Sequence, residues 1–441
     1  MPSRNALGAT FACLACLACL ACAVVAVAPA SGAVTASSAV PARSVAATCD
    51  GLPAMIVGTD GADRLVGTAG DDVIAGLDGT DVIVGGGGDD TICGDAGPDE
   101  LAGGPGDDRL FGGTNGLVNV FESADEPAGD ALVPGPGDDL VDVGVNTVLR
   151  GDGWNPPDTI DYSGSGAGVT VDLVSGVATG EGNDTVVVDQ PQPRIGYVVE
   201  LIGSTHADHL LGTERSDQLI GKGGGDRVDA RGGDDLVLND WDEYSPAPGE
   251  PADDVFDGGD GDDSLDSSGG DDVLLGGAGR DDLTKTRGPA TLDGGSGRDR
   301  LVAQLDVGRH TVAGGDGRDE VLLSVGNTGR RARGVVDLAR GRFVVRLARQ
   351  RAVRATLTGV ERVVMPSGAG RWTYLGTAGP DRVRGSSAYT ARGRGGDDVL
   401  IGSAADDVLL GGRGRDRVVG GRGEDRCRGE ELLGCERPRA S

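Results

Sequence analysis

The sequence predicts an all-β fold of short strands strung between glycine turns, and three observations predict it. Glycine supplies 81 of 441 residues, only 13 residues are aromatic, and six nine-residue units follow one another without a gap from Gly58. Gly at this level excludes an ordinary large core, so the apolar material has to be small, short and regularly spaced if it packs at all. Asp and Glu number 70 against 40 Lys and Arg, a formal charge of −30. With that charge and so few rings for base stacking, nucleic acid is not an expected partner, whereas cations are.

Residues 1–33 read as a secretory signal peptide: Arg4, the apolar run Phe11–Ala28, and small-residue exits at Ala28-Pro29-Ala30 or Ser31-Gly32-Ala33. The competing reading, a single membrane anchor, fits less well with those exits and the Ser/Thr/Ala segment 31–48, and no later segment could span a bilayer. A lipoprotein reading of Cys13, Cys16, Cys19 or Cys22 lacks the aliphatic residue expected further upstream. The mature chain is therefore expected outside the cell, free or at the cell surface, with 34–57 as linker and cap. Four cysteines remain, Cys49, Cys93, Cys427 and Cys435, and an even number in an exported chain predicts disulfides. Three pairings are possible, and proximity favours Cys49–Cys93 and Cys427–Cys435.

The nonads are GTDGADRLV, GTAGDDVIA, GLDGTDVIV, GGGGDDTIC, GDAGPDELA and GGPGDDRLF. Position one is always Gly, position four is always Gly, and position eight is Leu or Ile; position six is Asp63, Asp72, Asp81, Asp90, Asp99 and Asp108. The frame returns at 203–238 with Asp208, Asp217, Asp226 and Asp235, and at 249–302 with Asp254, Asp263, Asp272, Asp281 and Asp299. In that third array the nonad 285–293 has Ala290 where Asp belongs. A detached copy at 314–322 supplies Asp319. The last array begins with Asp381, slips by one residue at 385–392, and resumes with Asp398, Asp407, Asp416 and Asp425. Glycine at positions one and four is expected to permit positive φ and to leave turn carbonyls accessible. The apolar residue between two outward neighbours fits a three-residue strand with one side chain inside.

These nonads resemble the RTX, or haemolysin-type, calcium-binding repeat, whose consensus is G-G-x-G-x-D-x-U-x. The resemblance implies a parallel β-roll, a β-helix-like solenoid, in which six residues form a turn, three form a strand, and two nonads make one coil. Turns two nonads apart then stack at about 4.8 Å, which brings Asp63 near Asp81 and Asp72 near Asp90. Two carboxylates at that spacing repel by roughly 1 kcal/mol in a water-like dielectric and by several at an effective constant near 20. Calcium answers this, because it takes six to eight oxygens in flexible geometry, whereas magnesium demands a stricter octahedron. Counting aspartates two nonads apart gives about 11 sites at most. Free solvation of the turns would let Asn, Ser and Glu replace position six, and only Ala290 departs within the intact arrays.

The arrays alternate with spacers. The expected order is a first array at 58–113, a spacer with β-hairpin segments at 114–202, a second array at 203–238, and a loop plus third array at 239–322. An Arg-rich β spacer at 323–375, a fourth array at 376–428 and a cap at 429–441 complete it. Antiparallel hairpins are expected from the alternation at Val169, Val171 and Leu173 around Ser175-Gly176, and from GVVDLARGRFVVRL at 334–347. Residues 114–136 and the Pro-rich 241–251 read as loops or linkers. Residues 329–441 carry 23 Arg against 13 acids, and eight of those Arg lie in 331–354 beside Asp337 alone. They read either as solvated strand faces or as a patch for anionic cell-wall polymer, lipid headgroups or another surface partner.

Enzyme signatures are absent. His206, His209 and His310 belong to no H-E-x-x-H, there is no G-x-S-x-G, and the many G-x-G runs sit in the repeat frame without a following helix. His206-x-x-His209 is better read as two turn residues than as a metal site. Paired acids such as Asp71-Asp72 are repeat positions five and six, not a glycosidase pair. The expected function is that of a secreted, non-enzymatic, calcium-binding scaffold whose folding is coupled to the ion. The alternatives are adhesion through Arg342, Arg346, Arg349 and Arg351, and a β-helix polysaccharide hydrolase with carboxylates in 114–200.

Overall fold

The computed structural model describes residues 46–115, 129–145, 157–188, 197–239, 252–306, 308–326, 332–347, 351–368 and 370–435. The expected leader at 1–33, the linker loop at 241–251 and Arg349 lie outside them. Within the described residues the chain is all-β, with mostly parallel strands, antiparallel hairpins at two insertions, a short antiparallel pair at 48–53 and a single short 3-10 turn. It divides into two units, 1–165 with 181–196, and 166–180 with 197–441.

In the first unit the last residues of each nonad form a strand that pairs in parallel with the strand 18 residues on. Leu65 faces Ile83, Ile74 faces Ile92, Ile83 faces Leu101 and Ile92 faces Leu110. Alternate nonads feed alternate sheets, so two nonads make one coil. Ile74, Ile83, Ile92, Leu101 and Leu110 are fully buried in a column of aliphatic side chains, one per strand. That explains how a chain almost without aromatic residues builds a core: each strand has only one inward position, and its width suits Leu, Ile or Val. A two-residue antiparallel pair, Thr48–Cys49 with Leu52–Pro53, closes the start and is tied to the second sheet by the Cys49–Cys93 disulfide.

The first roll continues beyond the sequence-defined array. Strand Ala131–Val133 pairs in parallel with Glu100–Ala102, and Leu140–Asp142 pairs with Arg109–Phe111. Asp158–Asp161 and Asn183–Val187 add one further rung to each sheet. Residues 129–142, 157–161 and 183–187 therefore belong to the solenoid, and the expected spacer at 114–202 is corrected there. The insertions between these strands break the nine-residue spacing without breaking the stack.

In the second unit the hairpin expected near Ser175-Gly176 is present, Thr170–Asp172 against Val177–Thr179, and its first strand pairs in parallel with His209–Leu211. The second and third arrays share one ladder: Arg227–Asp229 pairs with Val255–Asp257, and Leu236–Leu238 with Ser264–Asp266. The copy at 314–322 joins the same stack through Glu320–Val325 on Arg300–Leu305. The Arg-rich spacer forms an inserted antiparallel trio, Arg333–Asp337, Arg342–Arg346 and Val353–Thr358, before the parallel coils resume. Cys427–Cys435 staples the C-terminal turn.

Candidate metal centre: the aspartate ladders

The position-six aspartates sit where each turn enters its strand, and the backbone lines them up. The N–H of one aspartate donates to Oδ1 of the aspartate one coil on, at 2.7–3.1 Å. In the first unit one edge reads Asp63, Asp81, Asp99, Asp130, Asp158 and the other Asp72, Asp90, Asp108, Asp139, Asp184. In the second unit one edge reads Asp208, Asp226, Asp254, Asp272 and the other Asp217, Asp235, Asp263, Asp281, Asp299, Asp319. The C-terminal coils carry Asp381, Asp398, Asp416 on one edge, and Tyr389, Asp407, Asp425 on the other. Every aspartate singled out from the sequence thus lies in a ladder, joined by Asp130, Asp139, Asp158 and Asp184. The signal for Asp139 was legible: PGPGDDLVD at 134–142 is a nonad with Pro134 in place of its first Gly.

With Oδ1 spent on the ladder, Oδ2 defines the chemistry. In Asp81, Asp90, Asp99, Asp108, Asp130, Asp139, Asp226, Asp235, Asp263, Asp281, Asp299, Asp319, Asp398, Asp416 and Asp425 it is buried and has no hydrogen-bond partner. A buried oxygen left this way costs about 1–3 kcal/mol, and more when charged. Burial pushes the carboxyls of Asp99, Asp226, Asp235, Asp281 and Asp398 up, and neighbouring rungs add to it against the pull of the ladder N–H. Asp99, Asp281 and Asp398 rise to about 7, Asp226 to about 8 and Asp235 to about 9.

At many of these rungs a carbonyl oxygen lies beside Oδ2. A Cβ placed on Gly85 would lie 2.3 Å from Asp90 Oδ2 and 2.7 Å from the Gly103 carbonyl oxygen. The same cradle recurs at Gly258, 2.4 Å from Asp263 Oδ2 and 2.7 Å from the Gly276 carbonyl, and at Gly276 with Asp281 and Gly294. Glycine at position one keeps this space open in these turns, whereas Pro134 and Ala230 stand there in the nonads of Asp139 and Asp235. The expected positive φ is confined to other turn positions: Gly79, Gly88, Gly97 and Gly106 at position four have it, whereas the position-one glycines of the first array do not.

Among the described residues no three His, Cys, Asp or Glu side chains converge on one point. Each cradle therefore offers an acidic oxygen supplemented by peptide carbonyls, an all-oxygen donor set of the kind a hard cation accepts. Calcium fits it: the aspartates would hold the ion through Oδ2, and its charge would cancel the repulsion along the edge. His206 is exposed, and His310 is buried with Nε2 3.0 Å from the Asp306 carbonyl, so neither adds to a cradle.

Some turns need no ion. In six turns where Thr or Ser follows the position-one Gly, its N–H caps Oδ2 of the aspartate four residues on, at 2.5–2.6 Å: Thr59 to Asp63, Thr68 to Asp72, Ser204 to Asp208, Thr213 to Asp217, Thr377 to Asp381 and Ser403 to Asp407. Each of these aspartates is the first aspartate of its ladder, and Gly-Thr or Gly-Ser was the signal in the sequence. Two ladders end on glutamates, with Asp319 N–H donating to Glu361 and Asp416 N–H to Glu430.

Residues 57–92, 94–115, 202–237, 248–283 and 392–427 match the family described as RTX calcium-binding nonapeptide repeat (4 copies). No curated protein matches the chain. Repeat, roll and oxygen-lined turns agree, and the chain is a calcium-binding β-roll protein built on RTX nonapeptide repeats.

Proposed function

We propose that this protein is an exported, non-enzymatic scaffold that folds when it meets extracellular calcium. The observation that carries this reading is the row of buried, partnerless Oδ2 atoms in register along the turns. In a cell interior poor in calcium such a chain stays open; outside, ion binding and folding become one event. The leader-like 1–33 supports export, and the two disulfides suit an oxidising compartment. Within 114–200 the acids Asp130, Asp139, Asp158 and Asp184 are ladder rungs, which supports a structural role for them. Fractionation of producing cells tests this. The chain, shortened by about 33 residues, is expected in the medium or on the surface, resistant to added protease with calcium and degraded in chelator. Retention inside the cell at full length would contradict it.

One observation favours a second reading, adhesion to an anionic polymer. Arg342, an earlier candidate, is 3.4 Å from buried Asp337, which also pairs with Arg340 and Arg394. The unpaired charge lies elsewhere. Arg298, Arg362, Arg382, Arg384 and Arg422 line a groove of about 1010 Å³ in the second unit, with Glu320 as its carboxylate. Arg362 and Arg382 are register neighbours on adjacent strands, and none of the five makes an ion pair among the described residues. The triple change Arg362→Gln, Arg382→Gln, Arg384→Gln is expected to weaken binding of a polyphosphate probe about tenfold at low salt. Equal binding by wild type and variant, or binding indifferent to salt, would exclude the groove.

A further inference from the structure

The nonad 285–293, KTRGPATLD, departs from the repeat twice: Lys285 stands at position one in place of Gly, and Ala290 at position six in place of Asp. In the regular nonads a Cβ at position one points into the oxygen cradle. Lys285 sends a whole side chain from that position, and Ala290 withdraws the carboxylate that would otherwise be added. The lysine is completely buried. Its Nζ lies 2.7 Å from Asp272 Oδ2 and 2.6 Å from the Arg287 carbonyl oxygen, and it also donates to the Gly269 carbonyl. The Ser267 hydroxyl donates to the same Oδ2. A ladder carboxylate and turn carbonyls around a positive charge are the chemistry that the other turns offer to an ion.

We propose that the ammonium group of Lys285 is the resident cation of this turn, that it closes the turn to calcium, and that it ends the calcium ladder of this edge. The inference rests on the calcium reading of the other turns. Asp272 is paired in parallel with Ala290, so this edge runs Asp208, Asp226, Asp254, Asp272 and then loses its carboxylates. Beyond Ala290 the corresponding strands carry His310 and, facing it, Ala355. The opposite edge continues through Asp281, Asp299 and Asp319. A tethered cation stays in place without dissolved calcium, so the coils around 264–297 keep their fold under conditions that empty the others, and they give the roll a preformed block on which calcium-loaded coils can stack.

Two variants of the full mature chain test this, with bound calcium counted by native mass spectrometry and amide hydrogen exchange read with calcium and in chelator. Lys285→Gly/Ala290→Asp restores a regular nonad and is expected to bind one calcium ion more than the wild type. Its amides at 272–297, protected in chelator in the wild type, are expected to be protected only with calcium. Lys285→Met leaves Asp272 without a cation and is expected to lose the chelator-resistant protection without gaining an ion. Wild-type exchange at 272–297 as fast in chelator as at 91–114, or full protection of Lys285→Met in chelator, would overturn the proposal. Calcium on the wild type with no gain in the double variant would overturn the role of Lys285 alone, whereas a wild type that binds no calcium would overturn the reading on which it rests.

Discussion

Gly85→Ala is expected to cost the protein one calcium ion and about 1–3 kcal/mol of its calcium-loaded stability, the range for forcing extra volume into a packed site. Its Cβ would enter the space shared by Asp90 Oδ2 and the Gly103 carbonyl, at 2.3 and 2.7 Å, although its backbone conformation is one that alanine adopts freely. Two neighbouring substitutions separate the ion effect from the fold effect. Gly61→Ala has nothing within 4 Å of its Cβ and is expected to change neither calcium stoichiometry nor melting temperature. Gly88→Ala combines φ +101° with a Cβ 2.7 Å from Asp71 N, and is expected to destabilise the roll with or without the ion. Calorimetric titration beside thermal unfolding checks all three. Full calcium uptake by Gly85→Ala would show that the cradle is not where the ion sits.

The second large effect is that of pH on the metal-free chain. An acid whose folded pKa is raised adds stability that is complete below its unfolded value, near 4, and disappears as pH climbs through the folded value. Asp108 and Asp299 rise to about 6, Asp99, Asp281 and Asp398 to about 7, Asp226 to about 8 and Asp235 to about 9, with burial the first cause in each. Protons and calcium therefore compete for the same carboxylates. In chelator the roll is expected to be most stable near pH 4–5 and to lose its cooperative melt between roughly pH 6 and 9; in saturating calcium the melting temperature is expected to rise over the same interval. Thermal melts followed by circular dichroism, in matched buffers, check the crossing. A metal-free chain equally stable at pH 5 and 8 would mean that these carboxylates are relieved by some other partner.

The fold was legible wherever the period held. Gly, Gly, Asp and Leu at fixed offsets place Ile74 beside Ile92 in one sheet and Ile83 beside Leu101 in the other, so every eighteenth residue extends the same inward column. Legibility failed at the insertions. From Asp99 to Asp130 and from Asp139 to Asp184 the ladder steps over 31 and 45 residues instead of 18, so a stack continuous in space is broken in sequence. Position six was visible as an acidic column, but the partner of each oxygen was not. Asp72 and Asp90 look alike in the repeat, yet Thr68 caps the first and nothing caps the second. That difference comes from a neighbour two residues into the turn, and the repeat consensus averages it away. Lys285 was hidden for a related reason: Ala290 reads as a lost ligand until the buried ammonium is seen beside Asp272.

The central claim is that calcium completes this fold by occupying turns whose carboxylate oxygens have no protein partner. The most direct measurement is far-ultraviolet circular dichroism of the chain from about residue 34, at pH 7.5, while calcium is added to chelated protein and magnesium is added to a parallel sample. The account predicts a cooperative passage from coil to β-structure with calcium, and none with magnesium at the same concentration. A β-spectrum already complete in chelator and unmoved by calcium would contradict it.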